Sequence, residues 1–114
     1  MAVGRFTGKD TKDYGLLLVP ARAGDRGLKF VVFSRASEQA GYKALILEEF
    51  GEANAADFFI RSTPASDWFG SVKNKALYVQ AADCIEMIDC GEKEYETDLY
   101  YWSKGKFTRE WIDN

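Results

Sequence analysis

The stretch Thr97 to Ile112 limits the possible folds more than any other part of the chain. Two runs rich in β-branched and aromatic residues, Thr97 to Trp102 and Phe107 to Ile112, flank Ser103-Lys104-Gly105-Lys106. Glycine accepts the positive φ that a tight hairpin loop demands, so the pattern specifies two antiparallel strands. With Lys104-Gly105 as a two-residue loop, Trp102 pairs with Phe107 and Tyr100 with Arg109. One face then carries Tyr100, Trp102, Phe107 and Trp111. A three-residue loop with Gly105 left-handed would instead set Asp98 against Glu110, a like-charge pair that costs stability. The first register is preferred. Both registers place Phe107 and Trp111 on one face, which makes them the clearest core candidates.

The same β signal recurs upstream. Ala76 to Ala81 and Asp83 to Asp89 read as one long strand, or as two broken near Ala82, and complete a C-terminal meander. Tyr14 to Val19, stopped by Pro20, and Leu28 to Ser34 flank a glycine-rich turn and read as an N-terminal hairpin. The middle of the chain reads differently. Tyr42, Leu45, Ile46, Glu49 and Phe50 follow helical spacing, with Ser37 as a cap and Gly51 at the C′ position. Gly41 weakens that helix by about 1 kcal/mol relative to alanine, and Ala44 to Phe50 also suits a strand. Glu52 to Arg61 reads as a second short helix. Thr63-Pro64 resembles a cap followed by an N1 proline, with Asp67 favourable in the turn closed by Trp68-Phe69-Gly70. The expected fold is α+β: an antiparallel sheet of about five strands packed with one or two helices. Residues 1–13, polar and aperiodic, are expected to be a flexible arm, and residues 14–114 a single domain. At 114 residues the chain can bury roughly two thirds of its unfolded surface and needs no staple.

The absence of histidine excludes a Ser-His-Asp triad, a Cys-His pair and a histidine zinc site within the chain. Cys84 and Cys90 match no metal or redox spacing. On one strand their sulfurs would lie about 20 Å apart, too far for a disulfide, whereas a turn near Asp89 would permit one. The acidic row nearby raises a thiol pKa and works against a nucleophile. Carboxylates in this region follow no calcium-loop spacing. No run approaches the ~20 apolar residues of a membrane helix, and no signal-peptide h-region is visible. Cytoplasmic location is the default; a secreted or periplasmic protein whose signal was removed fits the same residues.

Charge is divided unevenly. The net charge of −3 is the sum of +4 over residues 1–43, −2 over residues 44–82 and −5 over residues 83–114. A general nucleic-acid binder carries the opposite balance. Glu92, Glu94, Glu96 and Asp98 alternate, so on one strand face they would stand about 6.6 Å apart. Such a row either meets a basic protein surface or protects a sheet edge from pairing. The aromatics beside it exceed what one small core can bury, and exposed tyrosines anchor interfaces. The leading expectation is therefore a small non-enzymatic interaction protein of inhibitor, immunity or regulatory type. Glu92, Glu94, Tyr95, Glu96, Asp98 and Tyr101 would contact a basic partner. No cofactor or metal is implied, and an uncovered sheet edge would favour a homodimer. The alternative is a small-ligand pocket lined by aromatics such as Phe58, Trp68 and Tyr78. Two glycine-containing stretches are weaker candidates. Gly4 to Asp10 is one residue short of a phosphate loop, and Arg22 to Arg26 could hold an anion through guanidiniums and turn amides.

Overall fold

The computed structural model describes residues 1–22, 26–68, 79–91 and 96–112. Eight strands follow in chain order: β1 (Ala2–Gly4), β2 (Asp13–Leu18), β3 (Leu28–Ser34), β4 (Lys43–Phe50), β5 (Phe58–Pro64), β6 (Asp83–Asp89), β7 (Glu96–Ser103) and β8 (Lys106–Ile112). They form two antiparallel sheets, β1-β2-β3-β4 and β5-β6-β7-β8, each in sequence order. Each sheet is thus a simple meander drawn from one half of the chain. The half-chains meet at a turn over Gly51 and Glu52, followed by a 3₁₀ turn at Ala55–Asp57 whose first free N–H is capped by the Asn54 side chain.

The inner faces share one core. Ala2, Phe30 and Val32 of the N-terminal sheet close over Ile85, Met87 and Tyr100 of the C-terminal sheet, with Phe6 buried among them. Phe30 meets the Tyr100 ring edge-on at 4.8 Å, and Phe50 stacks on Phe58 at 5.6 Å. Each such pair contributes about 0.5–1.5 kcal/mol beyond its area. The C-terminal sheet also buries its other face. There Cys84, Leu99, Tyr101 and Ile112 lie beneath Ala65 and Trp68, which belong to a 3₁₀ turn at Ala65–Trp68. Cover on both sides removes the usual apolar–polar alternation, and every residue from Cys84 to Ile88 is buried. Glu86, inside that run, is neutralised by Arg61, whose Nε and Nη2 lie 3.1 and 2.9 Å from Oε2.

This architecture corrects the α+β expectation. Among the described residues the strands number eight, not about five, and helical residues are confined to the two 3₁₀ turns. The helix expected from Ser37 to Phe50 is β4, preceded by a turn in which the Ala40 N–H bonds to the Ser37 carbonyl. The residues at helical spacing do not share a face: Leu45 and Phe50 turn inward, whereas Ile46 and Glu49 are exposed. A bulge lies where β3 passes from Phe30, paired with Glu48, to Val31, paired with Ile46, so Leu47 is an extra residue. That insertion breaks alternation, and Leu45, Leu47 and Phe50 all face inward at spacings of two and three. The helix expected from Glu52 to Arg61 reduces to the 3₁₀ turn at Ala55–Asp57 and the start of β5. Thr63-Pro64 ends β5 instead of capping a helix; as an edge strand, β5 accommodates a proline without an N–H.

Other expectations fare differently. β2, β3 and the β7–β8 hairpin stand where the residues indicated. Trp102 pairs with Phe107 and Tyr100 with Arg109, around a turn in which Lys104 and Gly105 both have positive φ (53° and 76°). Cys84 lies within β6 and Cys90 just beyond it, and both thiols are free. Residues 1–13, expected to be a loose arm, contain β1 and the fully buried Phe6 and Asp13. Gly8, within the phosphate-loop-like stretch, has φ +76°, and a Cβ there would meet the Gln80 carbonyl at 2.7 Å. Of the two core candidates on β8, Phe107 packs against the inner core, whereas Trp111 is 46% exposed. Ala76 to Tyr78 lies outside the described residues, and Val79 to Ala82 is not strand.

Candidate inter-sheet cleft

The two sheets part between edge strand β4 and the β7–β8 hairpin, leaving a cleft of about 360 Å³. Strand alternation and the bulge decide what lines it. Leu45, Leu47 and Glu48 enter from β4; Tyr100 and Trp102 enter from β7; Phe107 and Arg109 enter from β8. Trp102 and Phe107, cross-strand partners, pack edge-to-face at 5.1 Å and form an aromatic wall.

Polar groups in this apolar setting are few and specifically placed. The Arg109 guanidinium bridges the sheets, with Nη1 3.3 Å from Glu48 Oε1 and Nη2 2.9 Å from Asp98 Oδ2. Burial opposes its charge, but the bond to Asp98 and nearby groups outweigh that and raise its pKa. Tyr100 is only 2% exposed, yet its hydroxyl has no partner of hydrogen-bonding geometry. Burial pushes this phenol well above its ordinary range, and the neighbouring Glu48 carboxylate adds to the shift. Asp98 Oδ1, on the same face of β7, is also buried and unpartnered. Buried polar atoms without partners are rare because each forfeits its hydration, on the order of 1–3 kcal/mol.

Of the six residues expected to bind a basic partner, three are described. Glu92, Glu94 and Tyr95 lie outside the described residues. Glu96 is exposed and sits opposite Asp89, but Asp98 turns inward to Arg109. Tyr101, expected at the surface, is 6% exposed and packs in the outer cluster with Leu99 and Ile112. The aromatics expected to line a pocket are likewise separated. Phe58 packs at the inner core, Trp68 lies across the C-terminal sheet with its Nε1–H donating to Thr63 Oγ1, and Tyr78 is outside the described residues. Glu48, Arg109 and Leu45 were not singled out as site residues, although the hairpin register already placed Arg109 beside Tyr100.

Two further sites bear on the chemistry available. Cys84 is buried in the outer cluster, and its thiol is pushed up to about 12 by burial first and then by Asp83 and Glu86. It is therefore a poor nucleophile at neutral pH. A larger cavity, about 560 Å³, opens at the far end of β2–β4, where Arg26 of the glycine-rich turn joins Leu18, Pro20, Leu28 and Phe50. Arg22 does not line it. Among the described residues, no three His, Cys, Asp or Glu side chains converge as metal ligands, and no helix is long and apolar enough to cross a membrane. Compared with protein-family models, with curated proteins and with solved structures, the chain matches none.

Proposed function

We propose that the protein is a non-enzymatic binder of a small, largely apolar ligand, which it holds in the cleft between β4 and the β7–β8 hairpin. One observation carries this reading: Tyr100, whose enclosed hydroxyl has no partner of hydrogen-bonding geometry, lines a cleft walled by Trp102 and Phe107. Trp102, Phe107, Leu45 and Leu47 supply apolar contact, and a ligand polar atom that displaces the side chains covering the hydroxyl would satisfy it. The Glu48–Arg109–Asp98 bridge fixes the walls without offering an unpaired charge.

The test is a fluorescence titration with 1-aminoanthracene, a neutral planar probe whose amine can pair with the phenol oxygen. Saturable binding is expected. Leu45→Trp, which fills the cleft from a half-exposed position, should abolish it. Tyr100→Phe should weaken it several-fold while leaving the protein as stable or about 1 kcal/mol more stable, since an unpaired buried hydroxyl is removed. Binding that survives Leu45→Trp refutes the reading.

A protein-interaction role is the second reading, and it draws support from a surface other than the acidic row. The outer face of the N-terminal sheet presents half-buried Leu16 and exposed Leu18 and Ile46 around Val31, which is buried beneath them, with Ile46 57% exposed on edge strand β4. A contiguous apolar face of this kind marks an interaction surface more often than a solvated one. Sedimentation equilibrium decides whether a second copy covers it: a dimer broken by Ile46→Lys supports the reading, and a monomer at all concentrations removes the self-association form of it.

A further inference from the structure

A second, smaller cavity of about 230 Å³ adjoins the cleft, and the two share Leu45 and Trp102 as a common wall. Its lining is chemically different. Lys9 and Lys43 reach it from the surface, Arg35 and Ser34 from the end of β3, and Thr7 from the segment between β1 and β2. These residues belong to the N-terminal part that carries +4, so the sequence's charge imbalance has a structural focus here.

The hydrogen-bond arithmetic decides what this cavity offers a ligand. Asp13, fully buried, accepts through Oδ2 from the Phe6 N–H at 2.9 Å, the Thr7 N–H at 3.1 Å and the Thr7 hydroxyl at 3.0 Å. A carboxylate only accepts, so the Thr7 hydrogen is committed to it. The 3.2 Å contact between the Thr7 and Ser34 hydroxyls must then be donated by Ser34. Ser34 is left as an acceptor, and the donors available to a ligand are the cations. Arg35 is half satisfied: its Nη1 and Nη2 bond to the Glu38 carbonyl and carboxylate, while its buried Nε has no acceptor. Lys9 and Lys43 are exposed and have no ion pair among the described residues. Asp13 and Glu38 are the opposing charges, the first held by its three donors and the second by Arg35.

The geometry points to an oxyanion subsite at Lys9, Arg35 and Lys43, adjoining the aromatic cleft at Leu45 and Trp102. The ligand class is then a small amphiphile with a planar or apolar body and one anionic head group, a carboxylate, sulfate or phosphate. The head sits at the two lysines, beside the Arg35 guanidinium that Glu38 and the Tyr42 ring hold in place, and the body lies past the indole against Phe107 and Leu47. A hydroxyl beside the anion would find Ser34 as its acceptor. This inference rests on the binding reading above but makes a separate claim, since a neutral ligand would need only the cleft.

The experiment compares two probes on the full chain: 8-anilinonaphthalene-1-sulfonate, aromatic with one negative charge, and neutral 1-aminoanthracene. The Lys9→Glu/Lys43→Glu double variant alters exposed residues and should fold as the parent does, which circular dichroism verifies. It should bind the sulfonate about tenfold more weakly, with the neutral probe changed less than about twofold. Added salt should weaken the sulfonate alone. Equal binding of the sulfonate by parent and double variant overturns the oxyanion subsite while the cleft reading stands, provided Leu45→Trp still blocks both probes. Failure of both probes to bind the parent, or insensitivity of both to Leu45→Trp, overturns the cleft reading and this inference together.

Discussion

Individual titrating side chains tie this fold to pH. The Cys84 thiol is raised from an ordinary value near 9 to about 12, chiefly by burial and further by Asp83 and Glu86. Tyr100 and Tyr101 are raised too, again with burial as the leading cause. A folded-state pKa above the unfolded one means that the unfolded chain releases its proton first as pH rises. Stability is therefore fully present below about pH 9 and is lost progressively toward pH 12. Urea midpoints measured across that window should fall with pH, and Cys84→Ala should make the fall shallower whatever it does to absolute stability. An identical slope in the variant would show that Cys84 takes no part. In the native protein at pH 8, a thiol reagent should modify half-buried Cys90 and leave Cys84 untouched until unfolding. The direction of the Cys84 shift was legible beforehand, because neighbouring acids were visible in the sequence. Its larger cause was not: the local pattern at Thr63-Pro64 and Asp67 announces the turn now seen at Ala65–Trp68, but not that the turn covers the outer face of the sheet above Cys84.

Strands were legible wherever local pattern and tertiary placement agreed. The β7–β8 hairpin is the clearest case: turn chemistry at Lys104-Gly105 and the repulsion between Asp98 and Glu110 in the rival register were enough to choose the pairing now seen. β4 failed for an equally local reason. One inserted residue, Leu47, breaks the period of two, and without strict alternation the set Tyr42, Leu45, Ile46, Glu49 and Phe50 passes for a helix face although Ile46 and Glu49 are exposed. Lys43 to Phe50 therefore carries a helical signature while hydrogen-bonded as a strand. The same insertion brings Leu47 and Glu48 to the inner side together, so the irregularity that misled the reading also shapes the cleft. The segment from Arg5 to Lys12 was missed because a buried polar network, not periodic apolar residues, holds it in place. Such networks leave almost no trace in a hydropathy pattern.

For the molecule as a whole, the candidate site was legible within the hairpin, which already set Arg109 beside Tyr100, and not across the two sheets. The aromatic face of Tyr100, Trp102 and Phe107 follows from the hairpin alone, but its role depends on which residues of a distant strand come opposite it. Glu48 and Arg109 are 61 residues apart, and only the packing of two sheets brings them to 3.3 Å. The division of charge was visible as arithmetic; of the acidic third's expected contact residues, Asp98 turns inward and Tyr101 is buried, while Glu92, Glu94 and Tyr95 lie outside the described residues. The basic part proved more informative, since Lys9, Arg35 and Lys43 converge beside Trp102.

Because each sheet comes from one contiguous half of the chain, the protein carries a natural dividing line at Gly51–Glu52, an exposed turn between them. Every strand pairing is internal to a half, whereas the core is shared between halves. During synthesis, all partners of β1 to β4 are therefore present before β5 is made, while the apolar inner face of that sheet still lacks its cover. Separately produced fragments 1–52 and 53–114 should accordingly be poorly soluble alone yet reassemble into a native-like complex when mixed from denaturant. Recovery of Phe30 and Tyr100 amide protection by hydrogen exchange would register success, and a mixture as unprotected as the single fragments would rule it out. A chain with that property can be split at one point and rejoined by its own interior, so ligand capture in the cleft could be read out as association of two reporter-tagged halves.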